Sequence, residues 1–147
     1  MGYTPEMFDD IRPFYDEEAG AAMQRLTEAP ELGMALQFLF PEEDPEAMIA
    51  EMKKIDSIFD FQFHVMQKVM NRILENSSTG FTFGGFDSLE KGKGYLLLAN
   101  HRDILLDSAL LQFPLYEHGI GLSEISFGSN LMLSPFIVDF GRMNRMY

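Results

Sequence analysis

The stretch Ala99-Asn100-His101-Arg102-Asp103-Ile104-Leu105-Leu106-Asp107-Ser108 decides how the rest of the chain is read, because a histidine and two carboxylates follow directly on an apolar run. That run, Gly94 to Ala99 (Gly-Tyr-Leu-Leu-Leu-Ala), has the length and character of a strand. Downstream, Ile104 to Leu111 alternates polar and apolar residues at helical spacing. The histidine is therefore expected at a strand-to-helix junction, where a rigid backbone holds polar side chains and the first helical turn leaves N–H groups unpaired.

Working outward toward the N-terminus, the chain reads as a helical layer. Asp16-Glu17-Glu18 supplies carboxylates for the first turn of a helix to about Thr27, and a second helix runs from Pro30 to about Leu39, stopped by Pro41. Asp44-Pro45-Glu46 has the form of a cap, a proline at the first helical position and an acid in the first turn. The helical stretch it opens runs to about Asn76, with a break near Asp56-Ser57. Ile55, Ile58, Phe59, Phe63, Met66, Val69, Met70, Ile73 and Leu74 recur along it at steps that make one wide apolar stripe. Packing of that stripe against a sheet is the simpler expectation, and insertion into a lipid interface the alternative, which would call for more facing Lys and Arg than the helix carries.

Beyond the linker Ser77-Ser78-Thr79-Gly80, Phe81-Thr82-Phe83 alternates as a strand, Gly84-Gly85 ends it, and a polar loop leads to the run before His101. A helix to about Tyr116, a turn at Gly119 and Gly121, a strand near Glu124 to Phe127 and a helix from Leu131 to Met143 complete the pattern. The expected fold class is α/β, with a helical region at 1–78 followed by the first strands and helices of an α/β domain at 79–147.

Composition bounds the function. A chain of 147 residues that is 46% hydrophobic can bury a core. It has no cysteine, so it carries no disulfide framework and no thiolate metal site. Met1-Gly2-Tyr3-Thr4-Pro5-Glu6 lacks the charged-then-apolar order of a secretory signal, and no apolar run reaches the ~20 residues that span a bilayer. A cytoplasmic location is expected. Residues 1–60 hold 15 acids against 4 bases, residues 61–147 hold 8 against 7, and the whole chain is at −12. That excess disfavours nucleic acid, and anionic lipid for the N-terminal part, since both need a basic footprint.

Asn100-His101-Arg102 with its downstream aspartate, preceded by Tyr95 to Ala99 and Gly84-Gly85-Phe86-Asp87-Ser88-Leu89, resembles the phospholipid/glycerol acyltransferase family, the enzymes that acylate glycerol phosphate and lysophosphatidic acid. Phe8-Asp9-Asp10-Ile11-Arg12-Pro13 and the run from about Gly80 to Tyr147 look like a bacterial branch of it. The family's block is a histidine, four residues, then an aspartate; Leu106 stands at that place here and the acids stand at Asp103 and Asp107. The resemblance covers the first half of a catalytic domain. It implies a truncated glycerolipid-acyltransferase-like domain that turns over poorly by itself, needing no bound cofactor or metal and taking acyl-CoA or acyl carrier protein as donor. It also implies a glycerol-phosphate or lysophospholipid acceptor and peripheral contact with the inner membrane face.

In acyl transfer from a thioester the acceptor hydroxyl loses its proton as it attacks, and histidine, with a pKa near neutrality, suits the general base. His101 is the candidate, with a carboxylate to orient its ring. Two placements stand open. If Asp103 caps the helix, Asp107 lies one turn up the same face and aims back toward the histidine, and this is preferred. If the helix starts later, Asp103 meets the ring and Asp107 is an early-helix acid. The family comparison gives Asn100 a part in shaping the turn and Arg102 a place near acidic substrate groups; Arg142 and Arg145 are weaker phosphate candidates. His64 and His118 are expected to be structural. A metal held by His101, Asp103 and Asp107 would crowd three ligands into seven residues without a fourth. The reading from a different class is a non-catalytic helical-plus-sheet interaction domain whose acidic N-terminal surface recruits a basic partner.

Overall fold

Each helix of the N-terminal region starts where local chemistry supplies an acceptor for a free N–H or, at a proline, removes the N–H. In the computed structural model, which describes residues 4–100, 102–103 and 106–147, helix α1 spans Asp16–Glu28 and the Glu18 carboxylate turns back to accept the Tyr15 N–H at 2.8 Å. Helix α2 (Pro30–Leu39) and helix α3 (Pro45–Met52) both open on proline, and Asp44 caps α3 by accepting the Glu46 N–H at 3.0 Å. Ser57 caps the next helical run by accepting the Asp60 N–H at 3.0 Å. That run comprises a single turn, α4 (Ile58–Asp60), a π-helical stretch at Phe61–Met66, and α5 (Gln67–Ser77).

Two compact units result. One comprises Met1–Arg72 with Glu124–Tyr147, the other Ile73–Ser123. In the first, α1 is central: Ala19, Ala22, Met23 and Leu26 are at most 1% exposed and face α2, α3 and the C-terminal helix α7, Pro135–Met143. Burying a side chain of the size of Leu26 or Met23 contributes about 1.5–3 kcal/mol, so this face outweighs any helix propensity. Leu36, Phe40, Met52, Ile58 and Phe61 close the same core.

The π stretch decides which face of the run looks inward. The buried positions are Ile58, Phe61, Val65 and Met70, steps of three, four and then five residues, and the Gln67 N–H donates to the Gln62 carbonyl, the longer reach of a π turn. The extra residue turns the expected stripe out of phase. Phe61, absent from that stripe, is fully buried against Phe140, whereas Phe59 is half exposed and stacks on Phe63 at 5.8 Å.

The α/β expectation is overturned. The described residues are helical with no sheet, and the only β-type pairing among them is a single parallel bridge between Ile125 and Met146. The three expected strands at Phe81–Phe83, Tyr95–Ala99 and Glu124–Phe127 do not form as strands, and Leu96 and Leu98 are 84% and 86% exposed. A strand is stable only where neighbours take its N–H and C=O groups, and an apolar run of the right length does not bring that neighbour with it. In the second unit aromatic contacts do the holding: Phe81 meets Phe113 on α6 (Leu106–Glu117) at 6.4 Å, and Phe83 and Phe86 both lie against His118. With no sheet among the described residues, the apolar stripe has no sheet to pack on, and the sheet part of the helical-plus-sheet expectation falls with it.

The last helix is also shorter than expected. Leu131 belongs to a 3₁₀ turn, and α7 starts only at Pro135, where Ser134 accepts the Ile137 N–H at 3.3 Å. Proline cannot donate within a helix, so it marks the start instead. At the other end of α6, Gly119 adopts φ 66° and the Ile120 and Gly119 N–H groups return to the Leu115 and Tyr116 carbonyls at 2.9 Å. This C-cap needs a residue free of Cβ, and a Cβ there would also meet the Lys91 ammonium at 2.9 Å. No helix among the described residues is long and apolar enough to cross a membrane.

Candidate functional site

The block around Asn100 enters α6 through two reciprocal carboxylate contacts. Asp103 accepts the Leu106 N–H on Oδ1 at 2.9 Å, three residues on, the contact an N-cap makes. Asp107 reaches the other way: its Oδ2 accepts the N–H of Arg102 at 2.6 Å and of Asp103 at 2.9 Å. The side chain of a helical residue leans toward the helix N-terminus, which is why an acid in this first turn can fold back over the segment before it. Both carboxylates also sit at the positive end of the helix dipole.

Asp107 is half buried, and Asn100, Arg102 and Asp103 are exposed. His101 lies outside the described residues. Asp107 therefore closes on the backbone immediately following it, while Asp103 is engaged as a cap.

The chain matches no protein-family model, no curated protein and no solved structure.

The arginines expected near a phosphate belong to the first unit and have partners of their own. Arg142 donates to the backbone carbonyls of Arg12 at 2.8 Å and Asp9 at 2.9 Å and lies over the Phe14 ring at 4.2 Å. Burial pulls its pKa below the usual arginine value, with the neighbouring Glu18 pulling the other way. It ties the N-terminal segment to α7. Arg145 adopts a left-handed backbone, φ 60°, and its Nη2 is 3.6 Å from Glu124; its Nε is buried without a hydrogen-bond partner among the described residues.

The other two histidines differ in setting: His118 is packed among aromatic rings, and His64 is exposed and lines a groove of the first unit. His118 Nδ1 is 2.8 Å from the Pro114 carbonyl and its ring lies against Phe83 and Phe86. His64, on the π stretch, is edge-on to Phe63, with Nε2 3.8 Å from Asp60.

Sequence reasoning missed a groove of about 700 Å³ in the first unit, bordered by α2, α3 and the run from α4 to α5. Its residues come from three helices separated in sequence. The one local signal was the break at Asp56-Ser57, after which the run from α4 to α5 starts anew rather than continuing α3.

Proposed function

We propose that this chain carries the proton-transfer motif of an acyltransferase that moves an acyl group from a thioester, acyl-CoA or acyl carrier protein, to a glycerol-phosphate or lysophospholipid hydroxyl. In this reading His101 takes the hydroxyl proton as the oxygen attacks the thioester carbonyl. The carbon–sulfur bond then breaks, and the departing thiolate receives the proton. Asp107 positions the histidine and stabilises its charged form. Asn100 shapes the turn, and Arg102, exposed beside it, meets the acidic groups of the substrates. In this reading the reaction takes place in the cytoplasm, at the inner membrane face when the acceptor is a lysophospholipid.

The observation that carries the reading is the pair of contacts at the start of α6. Asp103 is taken up by the Leu106 N–H, and Asp107 folds back onto the N–H groups of Arg102 and Asp103, the residues that directly follow His101. A carboxylate so placed is one an orienting role would need, and a helix start requires only one cap.

The test is acyl transfer to glycerol phosphate and to lysophosphatidate by the natural protein with and without His101→Ala. Loss of ~10²–10⁴ in kcat with unchanged folding is the expected result, the usual contribution of a positioned base. Near-full activity in a folded variant would overturn the assignment.

A further inference from the structure

The groove in the first unit has an apolar floor and an acidic rim, and that combination selects its occupant. Leu36, Phe40, Met52 and Val65, each no more than 9% exposed, form the floor. Glu43, Asp44, Glu51 and Asp60 stand around it, facing Lys54, Lys68 and His64, whose Nε2 is 3.8 Å from Asp60. Both lysines are already engaged: Lys54 with Glu51 at 2.6 Å, and Lys68 with Glu43 at 2.7 Å and over the Phe40 ring at 4.9 Å. Each lysine offsets one glutamate, which leaves Asp44 and Asp60 as the acids without a lysine partner and the mouth negative.

We propose that this groove docks the apolar face of a basic amphipathic helix from a partner protein. The groove is open and bordered by three helices, so an added helix would complete the layer with its apolar side chains on the floor and its Lys or Arg flanks against Asp44 and Asp60. A second copy of the chain is disfavoured, because each carries −12 and most of its acid lies in this unit. Anionic lipid is disfavoured for the same reason. The π stretch that lines one wall is the kind of local helix irregularity found often at binding sites. The inference is independent of the acyltransferase reading, since it uses none of residues 100–107.

The probe is a synthetic 15-residue helix with Leu at the i, i+3, i+4, i+7 positions and Lys elsewhere, added to the chain carrying labelled methionine methyls. Met48 and Met52, which line the groove, should shift, and Met23 and Met143, fully buried away from it, should not. Asp44→Asn with Asp60→Asn should weaken binding about tenfold, since Asn still caps α3, whereas Glu17→Gln with Glu31→Gln, an equal charge change at exposed sites outside the groove, should leave it unchanged. Ala47→Trp, on the exposed wall, should block the groove without touching the core. Equal binding by a peptide with Leu replaced by Ser would reduce the effect to non-specific charge and overturn the proposal. So would dodecylammonium moving the same methyls while the helix does not, or anionic vesicles binding in place of the peptide.

Discussion

Arg25 on α1 and Asp139 on α7 meet through two parallel hydrogen bonds of 2.7 Å, Nε to Oδ2 and Nη2 to Oδ1. The fork matches the carboxylate geometry, and the pair is asymmetric in exposure: the Arg25 side chain is half exposed and the Asp139 side chain only 10% exposed. The link joins residues far apart in sequence and fastens α7 to the central helix.

Replacing Arg25 by Met should strand a nearly buried carboxylate. The expected loss is about 2 kcal/mol, below the 3–5 typical of a fully buried broken pair because water reaches the arginine side. The double variant with Asp139→Asn should recover part of it. Urea denaturation followed by helical circular dichroism measures both, and full stability in Arg25→Met would show that the fork contributes nothing.

Glu18 gives the pH dependence a sign. Its carboxylate accepts from Arg12 Nη1 at 2.6 Å and from the Tyr15 N–H, and these contacts, the Arg12 one foremost, hold its pKa below the usual 4.5. A depressed folded pKa means the contribution is present above about 4.5 and is lost as pH falls through the folded value. Melting temperature should therefore fall on acidification below about pH 4.5, and Glu18→Gln should flatten that part of the curve. An unchanged acid limb in Glu18→Gln would refute the assignment.

Asp103 and Asp107 should separate by what they cost. Asp103→Ala removes the acceptor of the Leu106 N–H and should destabilise α6 by ~1 kcal/mol with acyl transfer mostly kept. Asp107→Asn retains an acceptor oxygen for the Arg102 and Asp103 N–H groups, so stability should hold while transfer falls. Amide exchange of Leu106 and steady-state rates in the natural protein provide the two readouts. The opposite pattern would move the orienting role to Asp103.

The inward face of the π stretch and the bare apolar run can be checked together. Phe61→Ala should cost about 3–5 kcal/mol, as for a fully buried aromatic, and Phe59→Ala much less. Leu96→Thr and Leu98→Thr should each change stability by no more than ~0.5 kcal/mol, because both side chains stand in water. Losses above ~2 kcal/mol at either leucine would indicate a packed strand.

What the residues alone determined was local. The starts of α1, α2 and α3, the break before Ser57 and the turn at Gly119 were legible because each depends on contacts within a few residues: a proline without a donor, an acid or serine accepting a helix-start N–H, a glycine at positive φ. The Asp103 cap was legible in the same way, as one of two open placements. Tertiary structure decided everything that needed a distant partner. Tyr95–Ala99 reads as a strand by composition, but no second strand among the described residues offers it hydrogen bonds. Phe61 replaced Phe59 at the core because one added residue in a π turn rotates the helix face, a shift that apolar spacing cannot reveal. Arg142 spends its donors on the carbonyls of Asp9 and Arg12, and the groove gathers side chains from three helices. Such pairings follow from how the helices are packed, and packing energy is shared among residues that sequence order keeps apart.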